Sequence, residues 1–342
     1  MLLKHWHFAL IIFIFLTTSC EGDKNETTAD STPLFPVGKE FNVSLDIAPF
    51  LEVDEQPLGR SVASSLPGGL YAVNVFWKGK SLTSFQPYAS GLFDDPYRVE
   101  IGLIEGYTYR FDCSFLDYKD APYCKVENDI PLYGLPFSCS PSKGMDGRIT
   151  NDLLISINPL NINQSFYQHI YKGEMQMKQD STSTHPTVKR FFGSQQLEVL
   201  TPGTNTSVSI SLKRAYYSVQ FTTNELNPGD SIKITATDIS PLYLLYSPDG
   251  TSKSEERIIS MYDISDYYTA RLKDDETIGF TITYRPADEE EWYTIYVDQG
   301  LKMKRNKKNI VKITKIDKYI NNATISFGEN AEMEEAEQEI GK

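Results

Sequence analysis

Val99-Glu100-Ile101-Gly102-Leu103-Ile104-Glu105-Gly106-Tyr107-Thr108-Tyr109-Arg110-Phe111 is the stretch on which the fold turns. Val99, Ile101 and Leu103 recur at every second position. That period puts one side of an extended chain on a core and the other side away from it. Glu105-Gly106 interrupts the pattern, and Tyr107, Tyr109 and Phe111 take it up again. Strand, tight turn, strand is the economical reading.

The same texture runs outward in both directions. Phe41, Val43, Leu45 and Ile47 alternate with Asn42, Ser44 and Asp46, giving a first strand with one apolar and one polar face. Leu70 to Trp77 forms a second, ending in a turn at Trp77-Lys78-Gly79-Lys80. From about Lys39 onward, segments rich in Val, Ile, Tyr, Phe and Thr are separated about every ten residues by Pro, Gly, Asn and Asp. Such spacing signals an all-β chain of the sandwich type. Residues 149–179 are ambiguous, with Phe166 to Met177 open between a short helix and a hairpin. A turn-rich stretch, Leu200 to Thr206, precedes the alternating run Val208 to Leu212. Beyond it, strands are expected at 217–221, 231–236, 243–246, 277–284, 292–297 and 309–316. Two β-sandwich domains in series follow, over 39–206 and 207–327, with an acidic, helix-prone or disordered tail at 328–342.

The N-terminus carries a different signal. Lys4 lies in a short basic start, Phe8 to Leu16 is an unbroken apolar run, and Leu16-Thr17-Thr18-Ser19-Cys20 closes it. As a helix the apolar run rises only about 14 Å, too short for a hydrocarbon core of roughly 30 Å. It is therefore an export signal over 1–19 and not an anchor helix. The closing residues resemble the lipobox of bacterial lipoproteins, in which the cysteine thiol is acylated and the peptide is cut just before it. The expectation is a mature chain beginning at a lipid-bearing Cys20, followed by a flexible polar tether over 20–38. Acidic residues close behind Cys20 also resemble the surface-export signal of Bacteroidetes lipoproteins, although a solvated linker has the same composition.

Charge and cysteine content narrow the partners. The formal net charge is -13 and becomes -14 once Lys4 leaves with the signal, so nucleic acid phosphates and anionic headgroups are repelled. Cys113, Cys124 and Cys139 remain after lipidation of Cys20, which allows one internal disulfide and leaves one thiol over. Their spacing does not suit a zinc site, and the mature histidines, His169 and His185, stand apart. No metal and no cofactor are expected. The chain has no Gly-x-Ser-x-Gly elbow, no phosphate-cradling loop and no His-Glu-x-x-His helix, so it reads as a non-enzyme. Asp94-Asp95, Asp274-Asp275 and Asp288 to Glu291 are paired acids beside turn residues, where acids are common without any catalytic task.

Tyr71-Ala72-Val73, Gly91-Leu92-Phe93-Asp94-Asp95, Val99-x-Ile101-x-Leu103-x-x-Gly106-x-x-Tyr109, Phe191-Phe192-Gly193, Val208-x-Ile210-x-Leu212-Lys213-Arg214 and Arg305-Asn306-x-x-Asn309-Ile310-Val311 follow one another along the chain. In order and texture these segments resemble the fimbrillin and fimbrial-anchor lipoproteins of Bacteroidales. The resemblance implies two transthyretin-like Greek-key β-sandwich domains. It also implies a lipid anchor in the outer membrane, display on the cell surface or fimbrium, and partners that are other fimbrial subunits or host and bacterial surface receptors. In polymerising members of that family an arginine-specific surface protease removes the first strand, and the exposed groove accepts a strand from the next subunit. Arg60-Ser61 falls between the first and second strands, where such a cut would have to lie, although an ordinary loop arginine looks the same. Ala323, Ile325 and Phe327 have the period of a donated strand and equally that of a strand closing the second sandwich. This departure from a long donor shifts weight from a shaft subunit toward an anchor, accessory or tip component. The rival expectation is a glycan-binding surface lipoprotein of a polysaccharide-uptake system. With aromatics at 12% and 21 tyrosines, ring platforms for sugars are available to it.

Overall fold

The computed structural model describes residues 35–48, 69–94, 99–117, 123–127, 130–133, 137, 147–163, 189–198, 207–236, 239–246, 256–314, 316, 324–327 and 331–332. Among them every regular element is a strand, so the chain is all-β. In chain order the strands are β1 (Glu40–Ala48), β2 (Gly69–Lys78), β3 (Gln86–Phe93), β4 (Val99–Ile104), β5 (Thr108–Asp117), β6 (Tyr123–Glu127) and β7 (Ile130–Tyr133). There follow β8 (Gly147–Arg148), β9 (Leu154–Ile155), β10 (Arg190–Leu197), β11 (Ser207–Ser211), β12 (Lys213–Arg214), β13 (Tyr216–Thr222) and β14 (Ser231–Ala236). The last are β15 (Ile239–Leu245), β16 (Glu256–Ser260), β17 (Asp275–Arg285), β18 (Tyr293–Lys304), β19 (Lys307–Thr314), β20 (Thr324–Phe327) and β21 (Ala331–Glu332).

The expected strand, turn and strand over 99–111 is present as β4 and β5, with Gly106 at φ +87° in the turn between them. A positive φ costs a glycine nothing, which is why the turn falls there. Val99, Ile101 and Leu103 are buried while Glu100 is exposed, as the alternation requires. They lie in a three-stranded sheet of order β11-β1-β4. Its apolar side packs with that of a six-stranded sheet, β12-β10-β5-β2-β3-β9, in one core that holds Val43, Leu45, Ile101, Val208, Val73, Trp77, Phe111 and Phe191.

A second pair of sheets follows. β16-β13-β19-β20 and β15-β14-β17-β18 share a core that includes Val219, Phe221, Val311, Ile234, Leu244 and Phe280. Leu70, Ala72, Leu116 and Phe192, from the other face of the six-stranded sheet, belong to this same core. β2 and β5 are consequently buried on both faces, which explains an apolar run in β2 that does not alternate.

Two segments depart from the sequence expectations. Ser207–Ser211, expected to open the second domain, is hydrogen-bonded to β1, with Leu45 opposite Val208 and Ile47 opposite Ile210. Alternation shows that a strand has a buried face; it does not say which sheet that face belongs to. Ala331–Glu332, placed by composition in a helix-prone or disordered tail, pairs with β19, and the register sets Glu332 opposite Lys307. Of residues 149–179, the described part to 163 contains only the short strand β9, and the rest lies outside the described residues.

Candidate functional site

β1 is the element around which a site can be built. Its residues Glu40 to Leu45 pair antiparallel with Ile104 to Val99 of β4, and Ser44 to Ala48 pair parallel with Ser207 to Ser211 of β11. The two ladders overlap only at Ser44 and Leu45. β1 is thus a splint: its first half holds one neighbour and its second half holds the other. Val43, Leu45 and Ile47 point into the core, and burying three such side chains contributes roughly 5–9 kcal/mol as an upper estimate.

The approach to β1 is held as well. Glu105 N donates to Lys39 O at 2.9 Å, and the Tyr107 hydroxyl meets both N and O of Val37, at 3.2 and 3.3 Å. Lys39 Nζ lies 5.2 Å from the centre of the Phe41 ring. On the neighbouring strand, Gly102 leaves room for the Glu40 side chain, since a Cβ there would lie 1.8 Å from Glu40 Oε1. The Tyr109 hydroxyl donates to Ile104 O at 3.0 Å and accepts from Ile104 N at 2.9 Å, tying the end of β4 back onto β5. Burial pushes the Tyr88 hydroxyl up and the Tyr109 hydroxyl well up, so both stay protonated donors.

The segments that carried the family resemblance meet in space. Arg214 Nη1 donates to Asn306 Oδ1 at 3.0 Å, Asn306 N donates to Tyr216 O at 2.9 Å, and Arg305 Nη1 donates to Arg214 O at 2.8 Å. Asn309 donates to Ser218 O at 3.1 Å and accepts from Lys304 N at 3.1 Å. The Lys213-Arg214 end of one segment is therefore locked onto the Arg305-Asn306 turn of another. Gly193 of Phe191-Phe192-Gly193 allows β10 to pass close to the end of β11, where a Cβ would lie 2.2 Å from Ser211 O.

The face of β2, β5 and β10 turned away from β1 carries, beside its apolar residues, a buried polar row that sequence reading did not single out. Asn74 donates to Leu160 O at 2.7 Å and accepts from Leu160 N at 2.9 Å. Arg190 donates to the Ser114 hydroxyl at 3.1 Å and to Ile162 O, and Ser194 donates to Asp112 at 2.7 Å. Arg110 Nη2 lies 2.9 Å from Asp112 Oδ2. Burial pushes the Asp112 carboxyl up and the Arg110 charge works against that rise. Arg110 and Asp112 at a spacing of two was the available signal, because that spacing puts both on one face of a strand.

The remaining candidates fall as follows. Cys20, Arg60, Ser61, Ala323, His169, His185 and Cys139 lie outside the described residues. Ile325 and Phe327 are in β20, opposite Ile313 and Val311 of β19. Asp275 pairs with Lys302 at 2.7 Å and Asp274 lies 3.8 Å from Arg305, so each acid faces a cation. Cys113 is a buried free thiol that burial pushes well up.

No family model matches the chain, and no curated protein matches it. Among solved structures, the fimbrial anchor protein Mfa2 from Porphyromonas gingivalis superposes with a TM-score of 0.40 at 11% identity, covering 85% of this chain and 98% of that one. The tip fimbrial protein Mfa3 from the same organism gives 0.34 at 11% identity, over 85% and 100%. A candidate polysaccharide-binding protein from Bacteroides thetaiotaomicron gives 0.40 at 10% identity, over 86% and 98%.

Proposed function

We propose that this chain is a lipid-anchored surface protein that serves as a fimbrial subunit, accessory or anchor component in adhesion, with β1 as its exchangeable strand. The observation that carries the reading is the seat of β1. A middle strand that alone joins β4 to β11 would, on leaving, expose two unpaired strand edges and an apolar slot between them. Residues 49–68, with Arg60 among them, link β1 to β2 in sequence, so one cut there separates the strand covalently from the rest.

The working surface in this reading is backbone and apolar side chains, and the protein performs no chemistry of its own. The export signal and Cys20 account for its delivery and its tether to the outer membrane. The two sheet pairs are read as transthyretin-like domains, with the boundary placed after Arg214 because β11 and β12 pair in the first set of sheets. Other fimbrial subunits and surface receptors are the partners.

Arg60→Ala tests the reading. Cells carrying wild type or the variant are treated with an arginine-specific protease, and both are run under mild detergent. The expected outcome is a ladder of oligomers and a new N-terminus at Ser61 in wild type, and monomers in the variant. Identical patterns in the two would remove strand exchange from the function.

A further inference from the structure

Among the described residues Tyr268 is the most exposed aromatic, at 74%, with Tyr267 beside it at 44%. The turn that carries them is fixed from within. Asp266 Oδ1 accepts from Tyr268 N at 2.7 Å and from Thr269 N at 3.0 Å, Asp266 N donates to Arg271 O at 3.1 Å, and Ala270 N donates to Asp266 O at 2.6 Å. Ala270 takes φ +53° to close it, and Ser265 bridges to Leu272 at its base.

It is also fixed from below. Arg110, buried on β5, donates through Nη1 to Tyr268 O at 2.6 Å and through Nη2 to Tyr267 O at 3.0 Å. Its guanidinium lies 4.6 Å from the Phe76 ring centre and 5.0 Å from that of Phe85. The Tyr267 ring stands edge-on to Phe76 at 5.9 Å and to Tyr268 at 5.6 Å. A buried ion pair such as Arg110 with Asp112 gives little net stability compared with apolar residues of the same size. What it does give is position: two adjacent carbonyls are held by one rigid fork, so the backbone that displays the two tyrosines has little freedom to lose on binding.

We propose that Tyr268, flanked by Tyr267, is a stacking platform for a neutral carbohydrate, a pyranose ring laid against the exposed ring face. Three flat or ring-shaped ligand classes could use such a platform. A nucleobase arrives with phosphates that a chain of net charge -13 repels. An aromatic side chain of a protein partner needs an apolar interface centre around it, but the other exposed side chains of this turn are Asp266, Thr269 and Arg271. A sugar ring is apolar on its faces and hydroxylated at its rim, which matches a ring set among those donors and acceptors. The site does not depend on strand exchange, and either can fail alone.

The test is affinity electrophoresis of the chain lacking residues 1–20 in native gels cast with a neutral β-glucan, a galactan, a mannan or mucin glycans. Retardation by at least one polymer is expected. Tyr268→Ala and Tyr268→Leu should each weaken it tenfold or more with unchanged melting temperature, Tyr268→Trp should keep it, and Tyr243→Ala, a change at an exposed tyrosine of β15, should leave it as in wild type. No retardation by any of the four, or equal retardation of wild type and Tyr268→Ala, would overturn the proposal. So would an equal loss in Tyr243→Ala.

Discussion

β1 and β20 lie near opposite ends of the described chain, and both come from segments with apolar residues at period two, yet they are seated differently. β1 has partners on both sides and three buried side chains, whereas β20 has, among the described residues, β19 alone as partner and lies at the edge of its sheet. The pattern in the sequence is the same in kind, so pattern does not decide what a strand can be used for. Position in the sheet does. A middle strand leaves a groove when it goes, and an edge strand leaves only one edge where there was already one.

The most severe way to break this comparison is Leu45→Pro. Leu45 has register partners on both sides, Val99 and Val208, so the substitution removes a ladder hydrogen bond and empties a core site. A loss of about 4 kcal/mol or more is expected in urea unfolding. A loss under about 1 kcal/mol would show that β1 is not a middle strand. Next in size is truncation after Asn322, which removes β20 and β21 with their four and two register pairs to β19. At a few tenths of a kcal/mol per pair the expected loss is about 2 kcal/mol, with the first pair of sheets unaffected in hydrogen exchange. An equal loss from both changes would erase the distinction. The smallest effect is Tyr109→Phe, which removes the hydroxyl that ties Ile104 at the end of β4 and should cost about 1 kcal/mol. Exchange at Ile104 should rise with it, and an unchanged rate would show that β4 is held by β1 alone.

Much of β1, β4 and β14 was legible in the sequence because each has one buried face, and a single buried face writes a period of two; β5, buried on both faces, was legible because Arg110 and Asp112 make its second face polar. β3 was not read as a strand, since Pro87 and Gly91 within it look like punctuation. β10 hides in the same way behind Gly193 and three consecutive polar residues. The pairing of β1 with β11 joins residues 44–48 to 207–211, a separation over which no local pattern carries information. The Tyr267-Tyr268 turn escaped notice because adjacent tyrosines suggest opposite faces of a strand. Asp266 just before them was the sign of a turn, since an aspartate side chain caps the backbone groups that follow it.

The mixed pairing of β1 has a consequence for any assembly made through its seat. The slot is bounded by a strand running against β1 and a strand running with it, so its two long walls differ and a replacement fits in one direction only. A copy that gave a strand from one end of its chain and received another near the opposite end would join its neighbour head to tail. Such a contact has no twofold axis, and wherever its rotation does not close a ring it propagates. The open product is a filament with a sense of direction, whose two tips are chemically different: one carries an empty acceptor, the other an unused donor.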